Sequence, residues 1–369
     1  MAPDARQRDT GDEAVLRACR LSSPVSSMDR RARVFLAAAL LALAPWLSPQ
    51  ASAAPQVDAQ AFVAIAAERA GRVELLGERR TACAGTEPPA GCRSGSGPLV
   101  RVRSYRVPAG PHNMAAHGSV VIVTHPRGGQ VTRIDVSTGE VRSTAAGTAP
   151  HDVKFAGDGR RAFVADEAGR RVLVLDPDTL ETRRTLPMPG RPHDLIVDGD
   201  DLWVTLVGRT DLARVRGSEV RLFPTGMRSH DLLRDGNGRL WFSNWNSRAL
   251  GIFDPASGKT ARAPPGVAEP HHFALAADGT VWVSDNGGAS VVGFRPGGGT
   301  ARIDVGAAPH HMAFLDGRLV VAVSGSGEAV VVEAGNVVER LTLSRGLHGA
   351  AAVQGMARDD LQGVGAHVK

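Results

Sequence analysis

A histidine recurs seven times in this chain at the end of a short motif: Gly110-Pro111-His112, Ala149-Pro150-His151, Arg191-Pro192-His193, Arg228-Ser229-His230, Glu269-Pro270-His271, Ala308-Pro309-His310 and Gly346-Leu347-His348. The intervals are 39, 42, 37, 41, 39 and 38 residues. Imidazole changes charge near neutral pH and, when neutral, ligates metals. Seven such rings on one period could do acid–base work or hold an ion, provided the fold brings them together. Taken singly, His112, His151, His193 and His348 read as structural histidines bonded to a neighbouring backbone, and Asp152, Asp194 and Asp231 read equally as turn or cap residues. The fifth repeat is the most loaded with chemistry. Glu269 precedes His271-His272, and a later apolar run ends in Ser284-Asp285-Asn286. Two carboxylates near a histidine can hold a hard divalent cation while the imidazole stays free as a base. The doublets His271-His272 and His310-His311 offer a softer, nitrogen-rich alternative suited to copper or zinc.

The elements that must position these residues follow from the spacing between them. In the third repeat, Asp194 to Val197 predicts a short strand, Asp198-Gly199 a turn, Leu202 to Thr205 a second strand, Leu212 to Val215 a third and Val220 to Phe223 a fourth. The Asp-Gly pair returns at Asp158-Gly159, Asp235-Gly236, Asp278-Gly279 and Asp316-Gly317, where it suits the positive φ of a tight hairpin. Four short strands per period of about 40 residues is the signature of a propeller blade. Six complete repeats leave a seventh with only its first strand, after His348. The missing strands are expected at the other end of the chain, in Ala61 to Ile65, Gly71 to Leu76 and Pro98 to Val107. The expected fold is all-β: a seven-bladed propeller of four-stranded blades, its ring closed by amino-terminal strands that pair with a carboxy-terminal one. First strands line the channel of a propeller, so the seven histidines would meet at one mouth.

On these residues the chain resembles the streptogramin B lyases, the virginiamycin B lyase family of seven-bladed propellers. That family has an Arg-Pro-His blade followed by Trp-Phe-Thr-Glu-Trp, similar to Arg228-Ser229-His230 and Trp241 to Trp245, and then a Glu-Pro-His blade like Glu269-Pro270-His271. The resemblance implies that His230 contacts substrate, Glu269 and Asp285 ligate Mg²⁺, and His271 transfers a proton. The reaction it implies opens an ester of a cyclic depsipeptide or related substrate by metal-assisted elimination. The remaining channel-mouth candidates are His112, His151, His193, His272, His310, His311 and His348. Several positions depart from the family pattern: Ser229 replaces its proline, Asn244 its glutamate, and blades one, two and six lack its Trp-Phe-Thr-Glu run. A second reading is a non-catalytic exported propeller of the YncE-like group that binds a small-molecule or peptide ligand at the channel mouth. A third treats the histidine ring as a transition-metal site, similar to the propeller of nitrous oxide reductase.

Composition sets limits on location and partners. Residues 1–53 read as a leader: Arg30, Arg31 and Arg33, an apolar run from Val34 to Leu47, and Ala51-Ser52-Ala53 as a cleavage site, with Met28 the expected true start. The apolar run is too short to span a bilayer. The expected product is a single domain over 54–369, without a transmembrane segment, monomeric, and exported to the periplasm or the medium. That segment has 36 basic against 33 acidic residues, scattered, which argues against a nucleic-acid partner. Of three cysteines, Cys19 falls in the leader, and Cys83 with Cys92 is expected to close a small disulfide loop.

Overall fold

The computed structural model describes residues 60–79, 97–244 and 248–356. The leader, the Cys83–Cys92 loop, Trp245 and the chain after Met356 lie outside the described residues. Within them run 28 strands, β1 to β28 in chain order, and one turn of 3-10 helix at Glu68–Ala70. They form seven antiparallel sheets of four strands each. Blades one to six use consecutive strands whose innermost members are β4 (Met114–His117), β8 (Pro150–Phe155), β12 (Arg191–Asp198), β16 (Leu232–Arg234), β20 (Pro270–Leu275) and β24 (Pro309–Leu315).

The seventh blade joins the two ends of the described chain. Its order is β28 (Leu347–Met356), β1 (Gln60–Ala67), β2 (Arg72–Glu78) and β3 (Leu99–Arg106). Phe62 pairs with Val353 and Ala64 with Ala351, so the closing strand is held by a ladder and not by loop contacts alone. This is the expected closure, and it leaves no blade interface unpaired.

Each blade is covered on both faces by its neighbours, and the second strands show the consequence. Val121 to His125, Ala162 to Asp166, Leu240 to Asn244 and Leu319 to Val323 are buried along their whole length, with no alternation of polar and apolar residues. Seven hydrophobic clusters result, one between each pair of adjacent blades. The closing interface between blades six and seven packs Val63, Ile65 and Leu76 against Leu315, Val320 and Val331, all at most 1 % exposed. Each such side chain contributes about 1.5–3 kcal/mol on burial. The Asp-Gly turns follow expectation at Asp316-Gly317, where both residues have positive φ. In blade four the left-handed residue is Gly238, two positions later than the Asp235-Gly236 pair suggested.

Candidate functional site

The histidines converge because of a repeated irregularity in the inner strands. In blade two Pro150 pairs with Asp166 and Val153 with Val164, with a register shift between them. The same shift spans His193-Asp194, His271-His272 and His310-His311. A regular strand sends consecutive side chains to opposite faces, whereas a bulge breaks that alternation and re-aims side chains. Each bulge thus brings both the histidine and the residue after it to the channel.

Hydroxyls on the second strands fix the bulges. Thr205 Oγ1 accepts from Asp194 N at 2.9 Å and donates to His230 O of the next blade at 2.6 Å. Thr124 makes the same pair of bonds to Asn113 N and His151 O, while Ser243 and Ser284 accept from Asp231 N and His272 N. The carboxylates after the histidines complete the link. Asp152 accepts from Leu195 N at 3.2 Å and Asp194 from Leu232 N at 2.6 Å, each reaching one blade onward. Gly349 N donates to His112 O, and a Cβ on Gly349 would lie 2.4 Å from that oxygen, so only glycine closes the circle there.

The seven imidazoles form an unbroken ring. Successive centroids are 4.6 Å apart from His112 to His151, 3.8 Å to His193, 3.8 Å to His230, 5.7 Å to His271, 4.0 Å to His310, 4.2 Å to His348, and 3.6 Å back to His112. His272 and His311 pack against each other one level down, at 3.9 Å. Together with Asn113 and Asp231, eight of these histidines enclose an axial cavity of about 120 Å³. Burial, followed by repulsion from neighbouring rings, pushes most of them towards neutrality. His112 falls to about 3, and His151, His311 and His348 fall well below their ordinary value. His272 is lowered to about 4, chiefly by burial.

The widest gap in the ring, between His230 and His271, is filled by a carboxylate. Asp231 places one oxygen 3.1 Å from His230 Nδ1 and the other 3.3 Å from His271 Nδ1. Burial raises its carboxyl, but the two imidazoles outweigh burial and hold it well below the usual range. Asp231 is therefore an anion inside the channel. Next to this pair a cavity of about 260 Å³ is lined by Glu167, His193, Val207, Gly208, Arg228, Ser229, His230 and Asn244. Two larger clefts, about 680 and 530 Å³, lie at the Asp-Gly-turn end of the blades and have no histidine in their walls. A second charged cluster joins neighbouring inner strands: the half-buried Lys154 Nζ lies 2.7 Å from Asp152 and 3.2 Å from Asp194.

His230 and His271 are thus brought together, but the expected cation ligands do not join them. Asp285 is fully buried, and its Oδ1 accepts from the backbone N–H groups of Ala268, Glu269 and Gly288 while its Oδ2 pairs with Arg302. Asp166 does the same in blade two, for Thr148, Ala149, Gly169 and Arg171, so this aspartate is a repeated loop brace. Glu269 is exposed, its side chain lying over Gly287. Among the described residues, the donor groups close enough to share an ion are His271-His310-His311, His151-Glu167-His193 and His193-His230-Asp231; neither Glu269 nor Asp285 belongs to one. Mg²⁺ prefers oxygen donors in near-octahedral array, and a saturated brace beside an exposed glutamate does not fit that need.

The fold and site define a class: a seven-bladed propeller with an axial cage of imidazoles around a buried carboxylate. Comparison with known proteins narrows it. The chain is 32% identical over 138 residues to virginiamycin B lyase of Nocardia farcinica (strain IFM 10152), a match covering 37% of this chain and 49% of that enzyme. The chain thus spans about half the length of the curated relative it matches. Among solved structures, it resembles virginiamycin B lyase from Staphylococcus aureus at a TM-score of 0.59, with 15% identity over 65% of this chain and 87% of that one. A functionally unknown protein from Desulfotomaculum acetoxidans gives a TM-score of 0.62, with 14% identity over 79% and 98% of the two chains. Hydrazine synthase of Kuenenia stuttgartiensis gives 0.59, with 16% identity over 68% and 93%. These structural likenesses establish the propeller fold. No family model matches the chain. The resemblance to virginiamycin B lyases read from the histidine motifs is therefore present in both sequence and fold. Among the described residues, no helix is long and apolar enough to cross a membrane.

Proposed function

We propose that this protein is an exported, lyase-like propeller that binds a small ester-containing ligand, a cyclic depsipeptide or a relative of one, at its histidine mouth and opens the ester by elimination. The observation that carries the reading is Asp231 bridging His230 and His271 beside the 260 Å³ cavity that His230 lines. In the reaction, His271 takes the proton α to a carbonyl. The C–H electron pair becomes the new C=C bond, the β C–O bond breaks, and its electrons leave with the carboxylate. No water is consumed. Asp231 orients the imidazole and stabilises it once protonated, as a buried carboxylate beside a basic histidine does. Arg228, in the cavity wall, supplies positive charge for the developing enolate. No step passes through Mg²⁺, because the two carboxylates expected to hold it are placed otherwise.

The test is turnover of ester-linked cyclic peptides followed by mass spectrometry, where elimination leaves the product isobaric with the substrate and hydrolysis adds one water. His271→Ala should abolish opening while retaining binding. Binding by the native protein without any opening would instead assign it to the non-catalytic propellers. Export is tested by sequencing the amino terminus of the secreted product, expected at Ala54.

A further inference from the structure

We propose that the protein holds a borderline divalent transition ion, Zn²⁺ or one like it, on His151, Glu167 and His193, with an open position facing the ligand cavity. Each of the three residues offers a donor atom, and the three atoms lie within 4.8 Å of one another. His193 Nδ1 and Glu167 Oε2 are already 3.1 Å apart. Donors bonded at about 2.0–2.1 Å to a tetrahedral zinc sit about 3.3 Å from one another; the His193–Glu167 pair already meets that spacing, and the remaining donor closes from within 4.8 Å. Two imidazoles and one carboxylate are a common catalytic zinc set, which leaves a fourth position for water or substrate. Here Glu167 and His193 both line the 260 Å³ cavity, so that position opens onto it.

Two further observations point to a missing partner and not to finished packing. His151 Nδ1 is buried with no hydrogen-bond partner, and His193, which meets Glu167 through Nδ1, is only 6 % exposed. His151 already spends its Nε2 on His112, at 3.0 Å, which leaves Nδ1 for the ion. The outer contacts are those that tune a metal site: Arg191 pairs with Glu167 Oε1 and turns Oε2 inward, and Asp231 lies 4.0 Å from His193 Nε2. Of the other two donor groups, one contains His271 and the other draws on Asp231, which is shared between His230 and His271. The ion does not depend on the elimination chemistry, since its donors exclude His271.

The experiment uses the full chain with any affinity tag removed, stripped with chelator and titrated with Zn²⁺ by calorimetry and with Co²⁺ by visible absorption. One ion per chain and the intense absorption of four-coordinate Co²⁺ are expected. His151→Ala and Glu167→Gln should each weaken binding by on the order of 100-fold, while His271→Ala and His311→Ala leave it unchanged. Glu167→Gln is isosteric and carries the test alone should His151→Ala not fold. Failure of the native protein to bind, native affinity in Glu167→Gln, or loss in His311→Ala would overturn the assignment. Zinc binding with no ester turnover would refute the elimination and leave the ion standing.

Discussion

Acid should loosen this protein through its buried imidazoles. His112 is depressed to about 3 and His272 to about 4 from an ordinary 6.5. A histidine with a lowered folded-state pKa binds its proton first in the unfolded chain, so stability falls as pH drops below about 6.5. From there to about pH 5 each group loses about 1.4 kcal/mol per unit, or about 2 kcal/mol, and the two together about 4 kcal/mol. His151, His311 and His348 are shifted in the same direction and add to the loss. Asp152 opposes it, because burial raises its carboxyl and so removes stability as pH rises. One such group against five imidazoles leaves the net slope positive. Typical stabilities are about 5–15 kcal/mol, so the effect is a large fraction of the whole. Urea unfolding followed by tryptophan fluorescence at about pH 8, 6.5 and 5 reads it directly. The midpoint should fall sharply between the last two, and less so in His112→Asn. A midpoint that is flat or rises towards pH 5 would refute the picture of His112 and His272 held neutral by burial.

Other expectations follow from individual contacts. Asp285→Ala should cost about 3 kcal/mol or more in unfolding free energy, since three backbone donors and Arg302 lose their acceptor, whereas Glu269→Gln should change stability by less than about 0.5 kcal/mol. Asp231→Asn should lower the elimination rate, because the carboxylate that orients His271 and stabilises its protonated form is gone. Gly349→Ala should destabilise by about 1–3 kcal/mol in thermal melts, as its methyl group would meet His112 O.

The blade grammar and the ring closure were legible because propeller strands are short, bounded by turns and repeated. Phe62 to Ile65 could be read as a second strand from its resemblance to Phe163 and Trp203 in other blades. The meeting of seven histidines followed from the same repetition. What the residues do once there was not legible, for a reason of parity. In an unbroken strand Asp231 would face away from His230, so its place between two imidazoles depends on a bulge that no residue type announces. Glu167 was passed over because it lies outside the repeated motif, one position beyond a strand. Asp285 misled in the opposite way: a buried aspartate at a strand end looks like a ligand, and only the three amides pointed at it identify a brace. The hydroxyls of Thr124, Thr205, Ser243 and Ser284 were a usable signal, since they recur at one strand position and tie each bulge in place.

Because the strand that carries His348 pairs with one laid down nearly 290 residues earlier, the imidazole circle closes only once Leu347–Met356 is in place. A nascent chain still short of Leu347 would have six blades of hydrophobic surface and an open gap where the seventh should shut. Such distant pairing is slow to form. The closed ring should therefore form late, and removing the strand Leu347–Met356 should open the channel wall between the first and sixth blades.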